Sequence, residues 1–64
     1  MKNNIKVLRK QLGLRQEDVA NALNVTRQTI NAIENSKYNP TLDLAMRLAK
    51  LLNTTVDELF TLCD

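Results

Sequence analysis

Gln16-Glu17-Asp18-Val19-Ala20-Asn21-Ala22-Leu23-Asn24-Val25-Thr26-Arg27-Gln28-Thr29-Ile30-Asn31-Ala32-Ile33-Glu34-Asn35 is the most informative stretch of this 64-residue chain. Val19, Ala20 and Leu23 share one face of a helix read from Gln16 to Leu23, and Ile30 and Ile33 form the buried edge of a second helix. Ala20 is small where two helices must approach closely. Asn24, between them, tolerates the left-handed conformation better than other residues with a Cβ, so it stands in for glycine at the turn. Thr26 is a good N-cap, and Val25 before it packs on Ile30 as a hydrophobic staple. Glu17 and Asp18 occupy the first turn of the earlier helix, where the helix dipole favours negative charge. The stretch predicts two short helices across a tight turn.

The same reasoning extends in both directions. Ile5, Leu8 and Leu12 follow helical spacing inward from an Asn4 cap, and Gly13 supplies the left-handed residue that ends a first helix over roughly Asn4 to Leu12. Beyond a loop over Ser36 to Pro40, Thr41 caps a fourth helix. Its Leu42, Leu44, Ala45, Met46, Leu48, Ala49, Leu51 and Leu52 leave only Asp43, Arg47 and Lys50 as a polar stripe. Such a helix reads as a central post buried by several neighbours. Thr55-Val56-Asp57-Glu58 has the spacing of a capping box and opens a short fifth helix ending near Leu62. The order of elements predicts a compact all-α, single-domain chain over residues 1–64, with helices two and three as the helix-turn-helix.

With these residues in place, the sequence resembles the phage-repressor and Cro type of helix-turn-helix regulator, the Xre family. Ile5 to Leu14 is similar to the family's first helix, Gln16 to Ala20 to the start of its second, Thr26 to Ile30 with Ile33 to Asn35 to its recognition helix, and Thr55 to Phe60 to its closing helix. The resemblance implies a five-helix, lambda-repressor-like fold. Two departures stand out. Arg15 replaces a frequent Ser or Thr, removing a capping oxygen worth ~1 kcal/mol, a loss that a phosphate contact from its guanidinium would offset. Ser36 replaces a frequent Gly, which puts Asn35 in the left-handed position.

The resemblance further implies a small transcriptional repressor whose third helix enters the DNA major groove, and the side-chain chemistry agrees. Arg27 matches the O6 and N7 edge of guanine and Gln28 the N6 and N7 edge of adenine; Thr29 or Ala32 suits a thymine methyl, and Asn31 is an additional reader. Gln16 is similar to the family glutamine that bonds a backbone phosphate, and Asn35 with Lys37 matches the loop that does the same, with Tyr38 beside them; such contacts orient without reading sequence. Lys37 and Tyr38 read equally well as exposed loop residues without a partner. Glu34, the only acid on the third helix, sits beside phosphates unless neutralised, and the resemblance suggests Arg9 as its ion-pair partner. One recognition helix reads only a few base pairs, which points to a homodimer on a palindromic operator. Val56, Leu59, Phe60 and Leu62 supply apolar surface for that contact, with Val56 and Leu59 reading equally well as residues that cap the monomer core.

Composition bounds the alternatives. Residues 1–38 hold seven basic groups (Lys2, Lys6, Arg9, Lys10, Arg15, Arg27, Lys37) against three acidic ones (Glu17, Asp18, Glu34), whereas the remainder holds two against four. The N-terminal half is therefore the polyanion-facing side. With no histidine and one cysteine, Cys63, neither a zinc site nor a Cys-His nucleophile pair is available. Cys63 reads as an inert thiol, and no cofactor or small-molecule effector is implied. Asp57 and Glu58 read as helix-start acids, and no paired carboxylates in an apolar setting or Gly-rich phosphate loop point to catalysis. RNA binding lacks the usual aromatic stacking surface. An antitoxin-type protein-interaction module on the same fold remains the alternative, although no additional partner-binding segment is read here. The absence of a signal peptide or membrane span and the scarcity of cysteine suit the cytoplasm.

Overall fold

Four of the helices end in the same way, and these endings set the path of the chain. The computed structural model describes residues 1–62, so Cys63 lies outside the described residues. The elements are β1 (Lys2–Asn3), α1 (Ile5–Gln11), α2 (Gln16–Leu23), α3 (Arg27–Glu34), α4 (Leu42–Leu51), α5 (Val56–Leu59) and β2 (Phe60–Thr61). After α1, α2, α3 and α4 one residue turns left-handed: Gly13 at φ 72°, Asn24 at 57°, Ser36 at 60° and Asn53 at 60°. The next residue's N–H then reaches back to the helix, from Leu14 to the Arg9 carbonyl, Val25 to Ala20, Lys37 to Ala32 and Thr54 to Ala49, at 2.9–3.0 Å. Each closure satisfies carbonyls that the helix itself leaves open. Gly13 and Asn24 take the conformation expected of them. The expectation for Asn35 is corrected: it stays at φ −90°, and Ser36 makes the turn because the bond from Lys37 to Ala32 requires the left-handed residue one position later.

Threonines begin three helices. Thr26, Thr41 and Thr55 accept the N–H of Thr29, Leu44 and Glu58 through their hydroxyl oxygens, at 3.2 Å each. The Asn4 cap needs correction. Asn4 sits at the cap position without a side-chain cap bond; Asn3 Oδ1 accepts the Ile5 N–H instead. Asn4 Nδ2 is turned away to donate to the Glu58 carbonyl.

The core gathers Ile5, Val19, Ala20, Leu23, Ile30, Ile33, Leu44, Leu48, Ala49, Leu52 and Leu59, with Val25 packed against it. Leu12 and α4 depart from expectation. Leu12 is half exposed, at the end of α1. Leu42 and Met46 are 72% and 56% exposed, so α4 is amphipathic rather than buried all round. Both lie on the side that carries Asp43 and Arg47, whereas Leu44, Ala45, Leu48 and Ala49 are buried and Leu51 packs against the core. Apolar content signalled burial, but direction around the helix decides it.

α5 stops at Leu59 rather than near Leu62. Phe60 and Thr61 straighten into β2 and pair antiparallel with β1, Asn3 opposite Phe60 and Lys2 opposite Thr61. The Asn4 N–H donates to the Leu59 carbonyl at 3.0 Å. This clasp also reaches α3: Asn3 Nδ2 donates to the Ile33 carbonyl at 2.9 Å and Ser36 Oγ to the Met1 carbonyl at 2.6 Å. Among the described residues no helix is long and apolar enough to cross a membrane.

Candidate nucleic-acid interface

The burial of Ile30 and Ile33 fixes which way the rest of α3 faces. Arg27, Gln28 and Asn31 project to solvent and, with Thr26, line an open hollow. Thr29 and Ala32 are half-buried, and the Thr29 hydroxyl is 2.9 Å from that of Thr26. Arg27 also borders an adjoining hollow with Arg9, Arg15, Gln16 and Glu17, so the starts of α2 and α3 share one basic surface.

Beneath that surface lies a chain of polar contacts. Arg9 Nε donates to Glu34 Oε2 at 2.8 Å and Nη2 to Oε1 at 3.2 Å, while Nη1 donates to the Leu14 carbonyl at 3.0 Å. The two side chains are only 9% and 4% exposed. Gln16 Nε2 donates to Glu34 Oε1 at 3.1 Å, and Asn31 Nδ2 donates to Gln16 Oε1 at 3.4 Å. Asn35 Nδ2 closes the series on the Asn31 carbonyl at 2.9 Å and on Asn31 Oδ1 at 3.3 Å. Contacts from α1 and α2 thus converge on one carboxylate of α3. Sequence reasoning paired Arg9 with Glu34 but missed Gln16 and Asn31 as members of the same network. The amide of Asn31, three residues ahead of Glu34 on α3, was the available signal.

Arg15 lacks a capping oxygen, and Asp18 makes the reciprocal contact from inside α2, where Oδ2 accepts the Arg15 N–H at 2.8 Å. That backbone bond, followed by the Arg15 side chain, holds the Asp18 carboxyl below its usual range. Asp18 in turn raises the Arg15 guanidinium, first by a side-chain hydrogen bond. Since Asp18 is favoured as an anion, its contribution to the start of α2 is present above the ordinary carboxylate range and is lost as pH falls through the lowered pKa. The contact between the two side chains, at 3.4 Å, is exposed and adds little to stability.

Lys37 and Tyr38 are exposed in the loop after α3, next to Asn35. The four C-terminal apolar residues are separated by the fold. Leu59 is fully buried in the core, so it has no surface to offer a partner, which corrects its assignment to an interface. Val56 and Phe60 line an apolar hollow of about 270 Å³ with Met1, Asn39, Pro40, Leu42 and Ala45, and Leu62 is 79% exposed. Two further features escaped the sequence reading: the contribution of Leu42 to this hollow, and Arg47 Nη2, which donates to the Leu23 carbonyl at 3.2 Å and ties α4 to the end of α2.

A helix-turn-helix family model matches residues 5–59. An uncharacterized HTH-type transcriptional regulator of Methanocaldococcus jannaschii is 47% identical over 60 residues, covering 94% of this chain and 91% of that protein. One of Methanothermobacter thermautotrophicus is 44% identical over 63 residues, 97% of this chain and 91% of its own. One of Bacillus subtilis is 40% identical over 62 residues, 97% and 94% of the two chains.

Proposed function

This chain belongs to the helix-turn-helix family of transcriptional regulators, and from that premise we propose that it represses transcription in the cytoplasm by binding a palindromic operator with α3 in the major groove. The observation that carries this reading is the exposed triad Arg27, Gln28 and Asn31 on a helix anchored from behind by Ile30 and Ile33. Arg27 and Gln28 present forked donor and acceptor sets suited to guanine and adenine edges, with Asn31 as a further reader and Thr29 or Ala32 toward a thymine methyl. Gln16, Arg15, Asn35, Lys37 and Tyr38 flank them and are assigned to backbone phosphates.

Selection from a random duplex library at two salt concentrations tests the reading. The expected product is a sequence logo with inverted repeats. Arg27→Ala and Gln28→Ala should each cost ~1–3 kcal/mol on the preferred site and flatten the logo at their own positions. Unchanged logos in both variants would overturn the assignment, and uniformly weak, salt-sensitive binding by the parent would overturn specific recognition altogether.

The operator is read by two copies, with their α3 helices about one DNA turn, ~34 Å, apart. The apolar hollow with Val56 and Phe60, flanked by exposed Leu42 and Leu62, supports this reading as a self-complementary contact. Leu42→Lys removes an exposed apolar group outside the core, so it should leave the melting temperature nearly unchanged while weakening binding to the full palindrome. Light scattering across a concentration series, with and without duplex, provides the check. One parent chain per full site at saturation would refute the dimer.

A further inference from the structure

We propose that Glu34, although nearly buried and of the wrong charge to approach DNA, is a positioning residue for base recognition. It would act by setting the polarity of the Gln16 and Asn31 amides. This inference rests on the assignment of Asn31 to the major groove. An ionised carboxylate only accepts hydrogen bonds, whereas each carboxamide has a donor end and an acceptor end of nearly equal shape. Glu34 Oε1 therefore selects the Nε2 end of Gln16. The Oε1 end of Gln16 then faces outward and selects Nδ2 of Asn31. Asn31 Oδ1 is left to accept from Asn35.

Arg9 holds the origin of the series still. Its fork engages both Glu34 oxygens, and its remaining nitrogen is bound to the Leu14 carbonyl. A buried anion thus dictates, through two amides, which hydrogen-bonding end of an exposed reader is committed inside the protein. The second Nδ2 hydrogen of Asn31 remains for the groove as a donor. A donor suits the acceptors of guanine, adenine N7 and thymine O4, and opposes the N4 donor of cytosine. The base pair met by Asn31 should therefore be depleted in cytosine on the contacted strand.

Library selection with the full chain tests this through Gln16→Met, which keeps side-chain length and removes both hydrogen-bonding ends, and through Glu34→Gln. Asn31→Ala locates the base position that Asn31 reads. At that position the parent should disfavour cytosine, and Gln16→Met should relax the preference at least about fivefold, the lower end of one base contact. In the Asn31→Ala background, Gln16→Met should bring no further loss of discrimination. In the free protein, Glu34→Gln should shift the ¹⁵N side-chain amide resonance of Asn31, to which Glu34 is not hydrogen-bonded. If Glu34→Gln fails to fold, the logo of Gln16→Met still tests the relay, because it removes the amide that links Glu34 to Asn31. A parent logo that survives Gln16→Met with only a uniform loss of affinity would overturn the positioning role and leave DNA reading intact. A parent with no logo would overturn both, so the two failures are distinguishable.

Discussion

Arg9→Met should lower the stability of the fold by about 3–5 kcal/mol, the usual cost of leaving a buried charge without its partner. The magnitude follows from burial rather than from Coulomb attraction. With side chains 9% and 4% exposed, neither member of the pair can recover its hydration when the other is removed. Arg9→Met strands the Glu34 carboxylate among Gln16 and the core, and also frees the Leu14 carbonyl from its side-chain donor. A domain of this size holds roughly 3–10 kcal/mol in total, so the variant should be largely unfolded near 37 °C. Replacing both residues with apolar side chains should restore much of the loss, because the desolvation of two charges is relieved together. Urea denaturation of Arg9→Met and of the double variant measures both. An Arg9→Met midpoint equal to that of the parent would show that water reaches Glu34.

Ile30→Ala should cost ~2–5 kcal/mol, the range for truncating a buried aliphatic side chain in a core that relaxes incompletely. Ile30 is fully buried on the inward face of α3, directly behind the residues assigned to the groove. The variant should lose apparent DNA affinity because fewer molecules are folded, and excess operator should recover it by mass action. Its logo should match the parent's once binding is saturated. A changed logo would mean that the cavity tilts α3 rather than merely weakening its anchorage. This behaviour contrasts with Arg27→Ala, in which folding should be intact and discrimination lost.

Much of the fold was legible because its signals are local. Thr26 lies next to the helix it caps, Asn24 lies next to the turn it permits, and Val19, Leu23, Ile30 and Ile33 repeat at helical spacing. The two-stranded clasp was invisible for the opposite reason. Lys2–Asn3 and Phe60–Thr61 are too short for any alternation to register, and each acquires its conformation only from the other. Ser36 was misjudged because Asn is the better left-handed residue in isolation. The hydrogen bond from Lys37 to Ala32 outweighed that preference of a few tenths to ~1 kcal/mol.

The candidate site was legible in residue type and less so in connection. Arg27 and Gln28 announce their chemistry wherever the helix points them outward. Gln16, in contrast, read only as a phosphate contact, and nothing in its neighbourhood along the chain signals that Glu34 and Asn31 hold both of its ends. Side-chain polar contacts across helices depend on rotamers and crossing angles, which hydrophobic spacing does not encode.

The clasp between β1 and β2 carries a consequence for synthesis on the ribosome. Asn4 bonds across 54 positions to Glu58, so the beginning of the chain must wait, unpaired, until residues 58–61 have cleared the exit tunnel. At the roughly 5–20 residues per second of translation, that interval lasts seconds, far longer than the microseconds needed for α2 and α3 to form as helices. A nascent chain can therefore carry a formed turn between its second and third helices while the Ile33 carbonyl and the Ser36 hydroxyl, which are later held by Asn3 and Met1, still face water. Emergence of residues 58–61, rather than formation of the helices, sets the moment at which the end of α3 is secured.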